Sequence, residues 1–340
     1  MIPWQADVIV THLAGTLAPY TASEPVAVAM KVGIRHEAAV RRALATAGDI
    51  GSVVISHAAR VSTRGRRRVN TGVFEGEVAK ARPVVHWRQS GNGPPLLLLN
   101  GWTASGLAWP NQWLSRLEES YDVIRIDNRG TGWSRSAPSP FTIEDLADDA
   151  RDVLDDSATE PVTVLGISMG GMIAQELAIR HSDVVGKLVL VATRPPTPAH
   201  TPMSSDALRL TWGRPPRDHS LREFLVTTWA QTTGDGFAAA HPQVLDELGD
   251  QIMRRITPRS GLVNQMRAIM SWHGPQRLWR ISAPTTIVHG AQDPLITVDN
   301  GRRLAELIPA ARYVELSGVG HLVAHEAGDS LIDALNSMRL

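Results

Sequence analysis

Apolar residues alternate between two patterns from about residue 83 onward. Short continuous apolar runs, typical of strands covered on both faces, alternate with longer segments in which apolar residues recur every three or four positions, as on one face of a helix. The predicted strands are 83–88, 95–100, 121–127, 162–165, 187–192, 285–289 and 312–316. The predicted helices are 111–119, 171–181 and 298–307. A further helix is predicted to begin at a capping box formed by Thr142 and Asp145. This order predicts an α/β fold with a mostly parallel, doubly wound sheet.

Residues 195–282 break this alternation. The segment is rich in proline and helical stretches, and it contains Trp212, Trp229, Trp272 and Trp279. Because it interrupts a core formed by 82–194 and 283–340, we expect a helical lid over the carboxyl ends of the strands, beside an apolar substrate cleft. We expect most of these tryptophans to pack the lid against the core, while Trp212 and Trp229 are candidates for substrate contact.

Residues 1–81 form an N-terminal extension or a small accessory domain to which the sequence assigns no role. Runs typical of strands at 7–10, 26–32 and 53–56, and one typical of a helix at 37–47, carry no motif. A homo-oligomer formed through this extension is one alternative. The run of Arg64, Arg66, Arg67 and Arg68 lacks interleaved aromatic residues, so we interpret it as a solvated loop and expect no nucleic-acid partner.

The composition narrows the chemistry further. Cysteine is absent, which excludes disulfides, a thiolate nucleophile and a cysteine-containing zinc site. Neither metal-ligand spacing nor a nucleotide-binding glycine motif is found, so we expect no metal and no cofactor. The first residues lack the basic region of a signal peptide, and no apolar run reaches about 18 residues. We therefore expect a cytoplasmic protein that acts on a small molecule and does not bind membranes.

Gly166-Ile167-Ser168-Met169-Gly170 is the stretch with the most specific chemistry. It follows the predicted strand 162–165 and opens a predicted helix, so Ser168 occupies a strand-to-helix turn at which its hydroxyl can be exposed as a nucleophile. The flanking glycines permit the sharp turn, and the helix N-terminus supplies N–H donors for an oxyanion. A serine nucleophile also needs a base and a third group that orients the base.

Residues further along the chain supply a candidate base and a candidate acid. Asp293 follows the predicted strand 285–289, which places its carboxylate in the loop past a strand end. His321 ends the glycine-rich segment 317–321, which we call the histidine loop. The order Ser168, Asp293, His321 is the one expected of a nucleophile elbow on an α/β sheet.

Other ionisable residues compete for these roles. His325 is an alternative base, although it falls within the next predicted helix, and Asp299 is an alternative acid that falls one turn into its helix. We interpret His289 as a structural hydrogen-bonding residue. We interpret Asp127 and Arg129 as residues that pair or brace a loop.

These motifs together resemble the α/β-hydrolase fold superfamily. Besides the elbow, Asp127-Asn128-Arg129-Gly130-Thr131-Gly132-Trp133-Ser134 is similar to its D-x-R-G-x-G-x-S segment, and Gly318-Val319-Gly320-His321 is similar to its terminal histidine loop. The resemblance covers residue 83 to the C-terminus and implies an enzyme with the triad Ser168, Asp293 and His321. A weaker resemblance, in the spacing from Asn100 to Pro110 and in the lid, is to small methylesterases that act on polyketide-type products.

The resemblance also implies an oxyanion hole formed by the backbone N–H groups of Trp102 and Met169. Members of the superfamily usually carry His-Gly where this chain has Asn100-Gly101, and we expect the Asn100 side chain to hold this loop by hydrogen bonds. Trp102 is a further candidate for substrate contact. The implied reaction is cleavage of an ester, thioester or lactone through an acyl-enzyme. Carbon-carbon bond hydrolysis, perhydrolysis, cyclisation or non-catalytic ligand binding on the same fold are the alternatives.

Overall fold

The structure is a computed structural model that describes residues 64–69, 73–78, 85–135, 140–158, 160–213 and 215–338. The elements predicted at 7–10, 26–32, 37–47 and 53–56 lie outside these residues. So does most of the extension that the homo-oligomer alternative involves.

Nine strands form one sheet in the part of the chain that the structure describes. They are β1 (Arg64–Val69), β2 (Val73–Val78), β3 (Val85–Gly91), β4 (Pro95–Leu99), β5 (Asp122–Ile126), β6 (Val162–Ile167), β7 (Val185–Val191), β8 (Thr285–Gly290) and β9 (Arg312–Leu316). Their order in the sheet is β1-β2-β3-β5-β4-β6-β7-β8-β9. The pairs from β5 through β9 are parallel, and those that involve β1, β2 and β3 are antiparallel. The predicted α/β class with a mostly parallel sheet is confirmed.

The sheet begins earlier in the chain than the sequence indicates. The arginine run that we interpret as a loop lies in β1, and β2 connects it to β3 by antiparallel pairing. The loop interpretation is therefore wrong, because charged residues are also common on strands at the edge of a sheet. Among the described residues, the sheet starts at Arg64, ahead of the boundary predicted at residue 82.

Eleven helices accompany this sheet within the described residues. They are α1 (Asn111–Glu118), α2 (Ile143–Ser157), α3 (Met169–Arg180), α4 (Ser205–Trp212), α5 (Leu221–Ala230), α6 (Phe237–Ala240), α7 (Pro242–Met253), α8 (Arg259–Met270), α9 (Val298–Leu307), α10 (Val323–Glu326) and α11 (Gly328–Asn336). The predicted capping box of Thr142 and Asp145 opens α2. Helices α4 to α8 lie between β7 and β8, within the segment predicted as a lid.

Helices cover both faces of the sheet, because successive strand residues point to opposite sides. In β4, Leu97 and Leu99 pack into a cluster with residues of α2, α3 and α9. Leu96 and Leu98 pack into a second cluster with residues of α1 and α11. The four leucines are fully buried, which accounts for the continuous apolar run in the sequence. Among the described residues, no helix combines the length and hydropathy that a membrane crossing requires.

Candidate active site

Ser168 lies at the turn between β6 and α3. Its backbone conformation is one that residues other than glycine rarely adopt. Its φ of 57° and ψ of −119° differ from both strand and helix values. A Cβ on Gly166 would overlap the Gly170 carbonyl, and one on Gly170 would overlap the Leu99 carbonyl. Only glycine fits at these two positions, so the sharp turn depends on both flanking glycines.

Hydrogen bonds from β7 and the residues after it hold this strained turn. The Ser168 N–H donates to the Val191 carbonyl at 2.9 Å. The Thr193 hydroxyl donates to the Ser168 carbonyl at 2.7 Å. Both bonds fix the backbone of Ser168, and the residue lines a cavity.

Asp293 and His321 form a buried pair. Nδ1 of His321 lies 2.7 Å from Oδ2 of Asp293. The other carboxylate oxygen of Asp293 accepts the N–H groups of Leu295 at 2.9 Å and Ile296 at 3.0 Å. These bonds fix the orientation of the carboxylate, which in turn fixes the imidazole, as a base with a defined tautomer requires.

The two members of this pair shift each other's pKa. Burial by itself raises the pKa of Asp293. The His321 charge and hydrogen bonds from His289 and His321 outweigh burial and lower the pKa to about 2. Burial lowers the pKa of His321, but the Asp293 charge and hydrogen bond, with the Glu326 charge, raise it above its ordinary value of 6.5. Asp293 is therefore ionised near pH 7 and stabilises a protonated His321.

The other candidate acid and bases occupy different environments. Asp299 is exposed and pairs with Arg302 at 3.0 Å. Nε2 of His289 lies 2.7 Å from the Ile296 carbonyl and 3.5 Å from Asp293, in keeping with a structural role. His325 makes no hydrogen bond to a carboxylate among the described residues, in contrast to His321.

Asn100 braces the loop of residues 100–104, which we call the oxyanion loop. Its side-chain amide donates to the backbone carbonyl of Ser105 at 2.8 Å. Its own backbone carbonyl accepts a hydrogen bond from the side-chain amide of Asn128 at 3.0 Å. A Cβ on Gly101 would lie 3.2 Å from Cβ of Ser168, so the loop closely approaches the serine. Met169, the first residue of α3, follows Ser168 directly, and N–H groups in the first turn of a helix have no helical acceptor. One hydrogen bond from the Asn100 side chain, to Ser105, and one accepted by its backbone carbonyl thus hold this loop.

A cavity of about 580 Å³ contains Ser168, His321 and the oxyanion loop in its wall. The rest of its wall comes mostly from 195–282, the segment predicted as a lid and called the lid below, and is mainly apolar. The apolar lid residues in the wall are Leu210, Leu221, Phe224, Leu225, Trp229, Leu248, Ile252, Ile256 and Leu262. The volume and the apolar lining are typical of a small-molecule site.

The four lid tryptophans fall into different environments, so the expectation that most of them pack the lid against the core is wrong. Trp229 lines the cavity. Trp212 is not among the lining residues; it is 51% exposed and its ring lies 5.8 Å from that of Trp102, which does line the cavity. Trp272 is fully buried in the core and donates to Glu176 at 2.8 Å, whereas Trp279 is exposed.

Glu326 is a site residue that the sequence does not reveal. One carboxylate oxygen accepts the N–H groups of Gly234 in the lid at 2.7 Å and Gly320 in the histidine loop at 2.9 Å. The other oxygen accepts the Leu322 N–H at 3.0 Å. Burial raises the pKa of Glu326 although these three bonds oppose the shift. From the sequence, a glutamate in a short helix is expected to be a surface residue. No signal in the sequence therefore indicates that Glu326 joins the lid to the histidine loop.

The lid and the histidine loop also meet through backbone at this point. The His321 N–H donates to the Thr232 carbonyl at 2.7 Å. A Cβ on Gly320 would overlap the Thr232 carbonyl, and one on Gly234 would overlap the Gly318 carbonyl. Glycine at 234 and 320 therefore permits a backbone contact that side chains would prevent.

Asp127 and Arg129 brace separate structures and do not pair as a unit. Asp127 accepts the N–H groups of Gly106 at 2.7 Å and Trp133 at 2.9 Å. Arg129 forms its buried ion pair with Asp149. The interpretation as loop-bracing residues fits both. Within the described part of the chain, no group of three or more metal-ligating side chains is arranged to hold a metal ion.

Comparisons with known proteins bear on the family and the fold. A family model described as alpha/beta hydrolase fold matches residues 94–327. The chain is 27% identical over 259 residues to the non-heme chloroperoxidase CPO-A1 of Kitasatospora aureofaciens, which covers 72% of this chain and 91% of that protein. It is 28% identical over 286 residues to the rhodomycin D methylesterase DauP of Streptomyces sp. strain C5, covering 72% and 92%. The solved enol-lactonase from Burkholderia xenovorans LB400 matches with a TM-score of 0.63 at 25% identity, covering 75% and 95%.

Proposed function

Because the chain belongs to the alpha/beta hydrolase fold family, as its motifs predict, we propose that it is a serine hydrolase with the triad Ser168, Asp293 and His321. The substrate is an ester, thioester or lactone of a moderately apolar small molecule. One observation carries the proposal: a serine on a strained turn and a histidine paired with a buried aspartate line the same cavity. The relatives named as a methylesterase and an enol-lactonase support this class of bond.

The first half-reaction forms an acyl-enzyme. Oγ of Ser168 attacks the substrate carbonyl while its proton passes to Nε2 of His321, because Nδ1 is occupied by Asp293. The backbone N–H groups of Trp102 and Met169 stabilise the oxyanion, and loss of one such donor typically raises the barrier by about 2.7 to 4 kcal/mol. The tetrahedral intermediate collapses, the bond to the leaving group breaks, and His321 donates its proton to the departing alkoxide or thiolate.

The second half-reaction releases the acid. His321 takes a proton from water, whose oxygen attacks the acyl carbonyl, and the bond to Oγ of Ser168 breaks as His321 returns the proton to the serine. Asp293 remains ionised and stabilises the imidazolium in both steps. The reaction uses only protein groups and water, so the proposal includes neither a metal nor an organic cofactor.

A second candidate differs only in the final nucleophile. Hydrogen peroxide in place of water would attack the same acyl-enzyme and release a peroxy acid. The similarity to a protein named as a non-heme chloroperoxidase supports this candidate. Comparing acyl transfer to water and to added peroxide by the purified enzyme separates the two reactions.

Replacement of Ser168 by alanine tests the proposal. Ser168→Ala should lower the hydrolysis of p-nitrophenyl butyrate by at least about 10⁴-fold and abolish labelling by a fluorophosphonate probe, because no other group supplies the nucleophile. Ser115→Ala, a change at an exposed serine of α1, should keep both properties. Stoichiometric labelling that survives in Ser168→Ala would overturn the assignment.

A further inference from the structure

Thr103 in the oxyanion loop has a backbone conformation that a threonine rarely adopts. Its φ is 70°, in the left-handed region that glycine and asparagine favour. It is the third residue of a four-residue turn, which the Ala104 N–H closes by donating to the Gly101 carbonyl at 3.3 Å. The second residue of this turn is Trp102, whose N–H is an oxyanion donor in the proposed function. Because a threonine disfavours this conformation, contacts outside the loop must hold the turn.

Two polar side chains of the lid bind both backbone groups of Thr103. The Thr103 N–H donates to Oε1 of Gln265 at 2.9 Å. The Thr257 hydroxyl donates to the Thr103 carbonyl at 2.7 Å. The N–H belongs to the peptide group before Thr103 and the carbonyl to the peptide group after it. The two bonds therefore fix both peptide groups, and with them the strained conformation of the turn.

The side chain of Gln265 satisfies its contacts in one orientation only. It is fully buried, and its Nε2 donates to the Arg129 carbonyl at 3.0 Å. An amide oxygen only accepts and an amide NH₂ only donates, so an exchange of the two atoms would break both bonds. Arg129 is itself held by its buried ion pair with Asp149. Gln265 thus connects the oxyanion loop to a fixed part of the core.

The helix that carries Gln265 also holds the side chain of Trp102. Nε1 of Trp102 donates to the carbonyl of Leu262, another residue of α8, at 3.0 Å. Within the described residues, no acceptor is hydrogen-bonded to the backbone N–H of Trp102, which leaves this group free to bind an oxyanion. Trp102 and Thr103 line the cavity, whereas Gln265 is not among the lining residues. Gln265 can therefore act on the reaction only through the residues that it holds.

We propose that Gln265 and Thr257 are positioning residues for the oxyanion. By fixing the turn of Trp102 and Thr103, they hold the Trp102 N–H where the negative oxygen of the tetrahedral intermediate forms. The inference rests on the proposed function and adds the lid to the parts of the protein that stabilise the transition state. A small displacement of an oxyanion donor weakens this stabilisation and leaves the binding of the apolar part of the substrate unchanged.

A matched pair of ketones tests this role. In 1,1,1-trifluorodecan-2-one, Oγ of Ser168 forms a bond to the carbonyl carbon, the carbonyl oxygen becomes an oxyanion, and the serine proton passes to His321. Decan-2-one has the same chain but a far less reactive carbonyl, so its affinity reports on the apolar contacts. Wild-type enzyme should bind the trifluoromethyl ketone at least about 100-fold more tightly than decan-2-one, measured as inhibition constants against p-nitrophenyl butyrate hydrolysis.

Variants of the two lid residues should change one inhibition constant and not the other. Gln265→Met, which removes both hydrogen bonds of the amide, should raise the constant for the trifluoromethyl ketone by about ten-fold and that for decan-2-one by less than about two-fold. Thr257→Val should raise the first constant by about three-fold. Gln251→Met, at a buried lid glutamine of α7 whose amide donates to Glu247 at 3.2 Å, should change neither. If Gln265→Met does not fold, Thr257→Val gives the same readout.

Two outcomes overturn the inference. One is a constant for the trifluoromethyl ketone that is unchanged in the folded variants. The other is an equal increase for both ketones, because a lid that only packs less well would weaken both ligands alike. Failure of the proposed function has a different signature: wild-type enzyme that binds the two ketones equally and is not labelled by a fluorophosphonate rejects the hydrolase assignment, and the inference with it.

Discussion

The two walls of the cavity are built differently. The wall at the strand ends presents Ser168, Asn100 and His321, each fixed by hydrogen bonds to neighbouring loops or strands. The wall formed by α4 and α5 presents apolar side chains, and no residue of α5 is buried. On the proposed function, the core therefore fixes the reacting groups, whereas α4 and α5 shape the space for the substrate.

The lid is nevertheless attached to the core by hydrogen bonds, among them two groups near the cavity and the histidine loop. Near α8, the Thr103 N–H donates to the buried Gln265 at 2.9 Å, and Nε1 of Trp102 donates to the Leu262 carbonyl at 3.0 Å. Near the histidine loop, Asp235 and Gln292 exchange two hydrogen bonds of 2.8 Å. Substitutions in the strand-end wall, at these attachments and in α5 should therefore have effects of decreasing size.

The largest effect is expected in the strand-end wall. Asp293→Asn removes the charge that stabilises a protonated His321 and should lower kcat by about 10³ to 10⁴-fold, as loss of the acid does in serine triads. Asp299→Asn, at the exposed alternative acid, should change kcat by less than about two-fold. Steady-state kinetics with p-nitrophenyl butyrate compares the two variants. Equal losses in both would show that the carboxylate of Asp293 is not the orienting group.

A smaller effect is expected at the attachment through Glu326. Glu326→Gln removes one acceptor oxygen and the negative charge, so the histidine loop is held less well and kcat should fall by about three- to ten-fold. The matched variant Glu306→Gln, at an exposed glutamate paired with Arg303, should leave kcat unchanged.

The pH profile separates a role toward His321 from a purely structural one. Activity requires neutral His321, so kcat/KM should rise with pH through a pKa above 6.5. The Glu326 charge raises this pKa; without it, the rising limb should move to lower pH. A fall in kcat with an unmoved limb would limit Glu326 to supporting the backbone.

The smallest effects are expected for the tryptophans of α4 and α5. Trp229→Leu removes part of the apolar lining and should raise KM for p-nitrophenyl octanoate by about five-fold. Trp212→Leu, at a side chain that is 51% exposed and outside the lining, should change KM by less than about two-fold. KM measured over acyl chains of increasing length tests the difference. Equal shifts in both variants would contradict the lining described for the cavity.

The sequence predicts the parallel part of the fold well, because continuous apolar runs such as Leu96 to Leu99 occur where helices cover both faces of a strand. It also identifies Ser168, Asp293 and His321 as candidates, since each follows a predicted strand. It does not predict β1, because a run of arginine has no apolar period that would distinguish an edge strand from a loop.

The features that the sequence does not predict depend on contacts between residues far apart in the chain. Glu326 acquires its role only when Gly234 from the lid comes within hydrogen-bond distance, across 92 positions of the chain. The lid tryptophans are the same residue type in the same predicted segment, yet Trp272 is buried and Trp279 is exposed. Their environments depend on helix packing that local periodicity does not specify.

The contact of Gly234 and Gly320 with opposing carbonyls bears on how the lid of this protein could be exchanged. Because neither position tolerates a side chain, we expect a change in this stretch of the lid to require a matching change in the histidine loop. Helices α4 and α5 carry no such restriction at the junction. We expect grafts from related hydrolases to transfer substrate preference when they end before residue 232, and to inactivate the enzyme when they replace the junction itself.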